Sequence, residues 1–413
     1  LEQSSNAKAD YKMRGPVEEW GRAPNINTGI AQSDAKAAYQ NSLIWAITGK
    51  QAHADKAIEI VNAWARTLKK VSGIDGVLAS GLQGFKFANA AEILRYTDSG
   101  WTESEAKRCE KSFVKAWHPT IEHYAYFANG NWGTAALQTN MAIAVFCNDR
   151  ELFENTVRYA VNGAGNGSIP HMIVYPTGQC QETTRAQHYA QLGLGLLGGA
   201  AEVAWNQGVD LYGWGGNHIL KGFEYTAKYG LGEEVPYQHY LDRTGKYGFG
   251  GRHNKYGKIS TVSRGGFWPI FERSYHHYAN RRGVPALHKG LRTRAEGGAV
   301  SSQSRHVDFF VPGRRRALLP HRPQPSRAQV ARDVQKSACS RPEKFHPRHR
   351  RRDGAHRHAS VPGQGSSRRV ERRPRARAVA GRGGGRADSS RPNPRAPWPS
   401  GRRESRRRGS ANS

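Results

Sequence analysis

The run HADKAIEIVNAWARTLKKV sets Ala57, Ile60, Val61, Trp64 and Leu68 three or four residues apart, which places all five on one helix face. The pattern recurs along the chain. AQSDAKAAYQNSLIWAITGK precedes this run. FKFANAAEILRYT, TESEAKRCEKSFVKAW, GTAALQTNMAIAVFC, RELFENTVRYAV, RAQHYAQLGLGLLGGAAEVAW and NHILKGFEYTAKYG follow it, joined by connections rich in Gly and Asn. Thr102 and Glu105 open one of these segments as a capping box. GAGNG at 163–167 follows a helix without a preceding strand and reads as a C-cap turn. Amphipathic helices in close succession bury their apolar faces against one another, so the expected fold is an all-α array of paired helices. There is little strand signal before the segment around 245–265. GFWPIFERSYHHYANRR, residues 266–282, predicts one more helix with Pro269 near its start.

The periodic pattern ends near Gly290. Residues 291–413 contain 30 Arg, 2 Lys and 8 acidic residues, and no Tyr, Ile or Met. This stretch holds +24 of the formal +30, so residues 1–290 are only mildly basic. A segment of Arg, Pro, Gly, Ser and Ala cannot bury enough apolar surface to offset its chain entropy. Its composition is what GC-rich DNA yields when translated out of frame, and that reading is preferred here over a disordered tail or a nucleic-acid-binding arm. The expected organisation is a helical domain over 1–290 and a low-complexity tail over 291–413. The chain begins at Leu1 without a methionine or a signal-peptide pattern, so its N-terminus is expected to be incomplete. Four scattered cysteines give neither a disulfide framework nor a zinc cluster. No apolar run is long enough to span a membrane.

Three stretches carry residues suited to chemistry. In FANGNWGTAALQTN, Asn129, Asn131, Trp132 and Asn140 put amides beside a flat aromatic face at a helix start. That combination suits a sugar ring bearing a carboxylate, although Asn–Gly pairs also serve turns and Trp132 could be core. In GQCQETTRAQHYAQLGL, Glu182, Arg185 and His188 stand three apart and are expected on one helix face. His188 could carry a proton with Arg185 and Glu182 fixing its orientation and charge, or the three could be a buried ion pair with a satisfied histidine. Gln179 lies just ahead of them. Gly193, Gly195, Gly198 and Gly199 favour close helix approach. The third stretch, residues 235–278, offers Tyr237, His239, Tyr240, Arg243, Tyr247, Arg252, Tyr256, Arg264, Tyr275, His276 and His277. A cation near a tyrosine stabilises its phenolate and lets it act as base and then acid. Most of these residues are expected to serve packing or surface roles. His53, His118, His123 and His171 show no metal-ligand spacing, so no metal is expected.

These blocks, together with SGLQGFKFANAAEILR and AEVAWNQGVDLYGWGGNHILKGFEYTAKYGLGEEVPY, resemble the alginate-lyase superfamily of polysaccharide lyases over residues 25–285. They are most similar to its glucuronan and alginate lyase branch. The resemblance implies an (α/α) toroid, an incomplete barrel of helical hairpins with a substrate groove across one end. It implies β-elimination on a 1,4-linked polyuronate without a cofactor, with an acidic polysaccharide as the partner. It implies neither a membrane nor a nucleic acid as a partner. Secretion or a periplasmic location follows from that substrate class. The family's carboxylate-neutralising Asn corresponds to Asn131, its Glu-x-x-Arg segment to Glu182 and Arg185, and a catalytic histidine to His188. Trp132, Asn129, Gln179, Arg264 and His277 would then bind substrate. Relatives place a catalytic tyrosine seven residues after the arginine, where this chain has Leu192. Tyr240 with Arg243 is the first substitute, with Tyr256 and Tyr275 as alternatives.

Two rivals stand beside this reading. A glycoside hydrolase on a similar barrel needs a second carboxylate at a suitable spacing from Glu182, and none is evident. A non-catalytic binder of acidic polysaccharide or nucleic acid would depend on the Arg-rich tail.

Overall fold

The computed structural model describes residue 1, residues 3–240 and residues 257–284. Among them the chain is mostly helical, with almost no sheet. A short strand β1, Glu19–Gly21, leads into α1, Thr28–Thr48, and α2, Gln51–Thr67. Strand β2, Lys70–Ser72, pairs in parallel with β1, with Trp20 opposite Val71. Next come α3, Gly76–Arg95, and α4, Glu103–Ser112, which passes through a π-helical turn at Phe113–Trp117 into α5, His118–Ile121. Then follow α6, Gly130–Phe146; α7, Arg150–Asn162; α8, Ile169–Met172; α9, Gln187–Asn206; and α10, Trp214–Gly230. The last described element is α11, Phe271–Tyr275, which continues as a π-helical turn over His276–Arg281. The helix expected over 266–282 is therefore shorter and changes its winding halfway. The tail at 291–413 lies outside the described residues.

The helices sort into two layers. α1 packs on α3, α3 on α6, and α6 on α9, while α2, α4, α7 and α10 cover them from outside. The outer helices bury one stripe, as Ala57, Ile60, Val61 and Trp64 do on α2. The inner helices are different from the amphipathic pattern expected for them. α6 buries nearly every residue from Gly130 to Phe146, and α3 and α9 bury almost as much of their surfaces. A helix enclosed on all sides needs small or apolar residues all round, which explains the Ala and Gly content of α3, α6 and α9.

Glycine lets the inner helices approach closely. A Cβ on Gly81 of α3 would lie 2.5 Å from the Ala135 carbonyl carbon of α6. The Thr139 hydroxyl crosses the same seam, donating to Gly81 O at 2.7 Å and accepting from the Phe85 N–H at 3.1 Å. The contacts fix the direction of the helices. Gly81 meets Ala135 and Gly84 meets Thr139, Gly193 lies over Asn131 and Gly199 over Gln138, and Tyr39 meets Phe85 while Trp45 bonds Thr97. Register rises together in each pair, so α1, α3, α6 and α9 run parallel and their N-termini share one rim. This is the all-α toroid arrangement. Each helix brings a partial positive charge to that rim.

Candidate active site

Helix α6 starts with the sequence NGNW, and its N-cap Asn129 makes no side-chain cap. The turn at residues 181–185 supplies the missing acceptors. Gln181 Oε1 accepts the Gly130 N–H at 3.0 Å, and Gln181 Nε2 donates to Asn129 Oδ1 at 3.2 Å. Glu182 Oε2 accepts the Asn131 N–H at 2.8 Å, while its Oε1 accepts from Asn131 Nδ2 at 3.1 Å. The Arg185 guanidinium donates to the same Oε1 at 2.5 Å. A carboxylate fits this position because a helix N-terminus leaves unpaired N–H groups and carries positive charge. Glu182 is fully enclosed, with 0% exposure. Burial pushes its carboxyl up to about 7, and Arg185 and the Asn131 N–H oppose that rise. Asn131 Oδ1 is buried without a partner among the described residues. Asn131 is itself 1% exposed, enclosed like the carboxylate that holds it.

His188 lies on the first turn of α9. Its Nδ1 is 3.2 Å from Ser263 Oγ, and its ring stacks toward Trp268 at a centroid distance of 6.1 Å. Burial and the neighbouring Arg185 hold the imidazole below its ordinary value, which favours its neutral form. The Arg185 guanidinium lies 3.8 Å above the Tyr189 ring, and that ring is 4.2 Å from His188. Residues 257–268 strap this region to α9. The Ser260 N–H reaches Thr183 O, the Gln187 N–H reaches Val262 O at 2.8 Å, and Gln191 brackets Gly266 O and the Trp268 N–H.

This arrangement corrects the expected helix face. α9 begins only at Gln187, and Ala186 is extended, with φ −57° and ψ 135°. The Arg185 N–H closes a turn onto Glu182 O. The strap takes backbone groups that a longer helix would have used, so Glu182 and Arg185 stand in a turn and His188 on the helix behind it.

Other sequence candidates have different placements. Glu182 and Asn129 are enclosed scaffolding rather than groove lining. Gln179 is also buried: it donates to Gln238 O at 2.7 Å and accepts the Gln238 N–H at 2.9 Å, so it fixes the strand of chain carrying Tyr240. Tyr240 itself packs edge-on against Tyr175, whose hydroxyl donates to His239 O at 2.7 Å. Arg264 donates to Tyr229 O at 2.8 Å and pairs with Glu234, so its charge is spent holding the strap to the end of α10. His277 is buried against Tyr212, 3.8 Å between ring centroids, and against Trp205. Trp205 and His188 occupy opposite ends of α9, a helix about 30 Å long, so His277 is a packing residue remote from the rim. Tyr275 is half-buried on α11, with its ring against His276. Trp132 is half-buried with its edge on Phe127. Asn140 supports the preceding loop through Ile121 O and His118 Nδ1. Arg243, Tyr247, Arg252 and Tyr256 lie outside the described residues. The sequence pattern passed over Gln181, Tyr189, Ser263 and Trp268. Of these, Gln181, Tyr189 and Ser263 adjoin the singled-out Glu182, His188 and Arg264, which is the one signal that could have drawn notice to them.

Among the described residues, no group of three or more His, Cys, Asp or Glu side chains could hold a metal ion. No helix among them is long and apolar enough to cross a membrane.

The family model for alginate lyase matches residues 18–235, which is 218 of the 413 residues. The chain belongs to the alginate lyase family. It is a polysaccharide lyase, and the residues clamped at the start of α6 lie inside the matched region. Among solved structures, it is similar to an alginate lyase from Bacteroides ovatus, with 15% identity, 63% of this chain and 70% of that chain covered, and a TM-score of 0.44. It is also similar to a variant of alginate lyase A1-III complexed with tetrasaccharide, with 16% identity, 70% and 85% covered, and a TM-score of 0.48. A second variant of that lyase, also complexed with tetrasaccharide, shares 18% identity over 52% of this chain and 61% of that one, with a TM-score of 0.40. No curated protein matches the chain.

Proposed function

We propose that this lyase cleaves a 1,4-linked polyuronate, glucuronan or alginate, by β-elimination at the rim where α6 and α9 begin. The supporting observation is that one buried carboxylate, Glu182, holds Asn131 and Arg185 together near His188, whose imidazole burial and Arg185 hold below its ordinary value. Proton abstraction from C5 of a uronate is difficult while the adjacent carboxylate is anionic. In this reading the partly exposed Arg185 guanidinium, with the Asn131 amide behind it, binds that carboxylate and stabilises the enolate-like charge that develops. His188 has Nδ1 on Ser263, which leaves Nε2 to take the C5 proton. The electron pair then forms the C4–C5 double bond as the C4–O4 bond breaks. The departing O4 takes a proton from Tyr240, the first candidate for the acid. Trp132 stacks on the sugar ring. No cofactor is needed for this chemistry, and a secreted or periplasmic location suits such a substrate.

Incubation with glucuronan and with alginate should produce ultraviolet absorbance from the conjugated unsaturated uronate. Loss of chain length without that absorbance would instead identify a hydrolase. No cleavage of any polyuronate would overturn the reading.

A further inference from the structure

We propose that Tyr126 and Phe127 form a stacking platform for a non-reacting uronate residue of the polysaccharide, next to the residue being cleaved. This rests on the polyuronate lyase reading above. The two rings are adjacent in the chain and are 47% and 46% exposed, while Ala125 and Ala128 on either side are each 1% exposed. Two large aromatic side chains thus point outward from a loop whose small residues point in.

The loop is braced, so this exposure is not the slack of a surface turn. Tyr124 holds a left-handed backbone with φ 56°. Its ring lies flat on that of Tyr159, with centroids 3.4 Å apart and an interplanar angle of 2°. Tyr126 sets its edge on the same Tyr159 ring at 6.2 Å. The Asn166 amide donates to Ala128 O at 2.8 Å, and the Asn140 amide to Ile121 O at 3.1 Å. Phe127 meets Trp132 edge to face at 5.8 Å, and Trp132 directly follows Asn131. Through Trp132 the platform adjoins the start of α6.

Chemistry selects the occupant. The loop ends at the N-terminus of α6, on the rim where the inner helices present their positive ends. A ligand for this surface must offer a flat apolar face to the rings and negative charge to the rim. A pyranose uronate does both, with its axial C–H groups on one face and a carboxylate at its edge. Repetition along a polymer places the next ring against the platform when one ring occupies the clamp.

The test is steady-state kinetics of the full chain on polyuronate and on the shortest oligosaccharide it cleaves. The Tyr126→Ala/Phe127→Ala double variant should raise KM for polymer about tenfold, with kcat nearly unchanged and the short substrate unaffected. Tyr126→Phe/Phe127→Trp should restore the parental KM. An unchanged polymer KM in an active double variant overturns the platform. An equal loss on long and short substrates also overturns it, because the rings would then belong to the reacting centre or to folding. Retardation of each protein in a polyuronate-containing gel measures the platform separately from turnover. If no polyuronate is cleaved but the double variant alone loses retardation, the platform stands and the lyase assignment falls. Equal retardation of parent and variant sinks the platform.

Discussion

Replacing Gly81 by alanine tests whether the toroid depends on backbone contact between α3 and α6. The new Cβ would meet Ala135 at 2.5 Å from its carbonyl carbon and 2.7 Å from its Cβ. These are parts of a packed helix and not the end of a flexible side chain. Reaching ordinary contact needs the two helices to part by about 1 Å. Overpacking of this kind costs about 1–3 kcal/mol, and stretching the Thr139 bond to Gly81 O adds about 1 kcal/mol. Higher helix propensity returns roughly 0.5–1 kcal/mol. The balance is a loss of about 1–3.5 kcal/mol, or roughly 3–12 °C in Tm for a domain of this size. Gly29→Ala supplies the contrast, since nothing lies within 4 Å of a Cβ there on the first turn of α1. That variant should match or exceed the parent by up to about 1 kcal/mol. Thermal unfolding followed by circular dichroism reads both. A Gly81→Ala protein that melts with or above the parent would refute the close-contact account of the inner layer.

Further outcomes follow from the buried charges. Burial raises the Glu182 carboxyl from its ordinary 4.5 to about 7, so its stabilising contribution is complete below 4.5 and disappears as pH rises through 7. Glu182→Gln should remove that dependence, which amounts to about 3 kcal/mol at most, and lower kcat by about tenfold to a hundredfold through loss of the clamp; parallel Tm-versus-pH curves for parent and variant would contradict this. His188 must be neutral to act as base, and its pKa lies below the ordinary imidazole value. The acid limb of kcat/KM should therefore fall below about pH 6.5, and His188→Ala should remove most activity without lowering Tm. Asp34 is buried and accepts from the Tyr11 hydroxyl, the Arg14 and Gly15 N–H groups and the Trp64 indole. Asp34→Ala should cost about 3–5 kcal/mol, measured by denaturant unfolding.

The helical array was legible because its outer members carry a true 3.6-residue stripe, and Ala57, Ile60, Val61, Trp64 and Leu68 are all buried. The division into two layers was harder to see. Inner helices such as α6 lack a polar face, and a fully enclosed helix leaves no periodic trace. Asn131, Glu182, Arg185 and His188 were singled out from residue type and spacing, and the structure gathers them. The form of their assembly was not legible: Glu182 reaches α6 from a turn, and Ser263 and Trp268 reach His188 from a segment 75 or more residues later. Such tertiary pairings leave no local pattern. Arg264 and His277 were attractive by type alone, but a carbonyl at the end of α10 and the Tyr212 ring account for them.

The Glu182 clamp also bears on how activity arises during folding. Asn131 and Arg185 are 54 positions apart, and neither is set until α6 and α9 have docked through Gly193 and the Glu182 carboxylate. Closing a loop of that length comes late relative to local helix growth. Helical signal should thus return before turnover when the denatured chain is diluted into buffer. Catalysis becomes a clock for the docking of two particular helices.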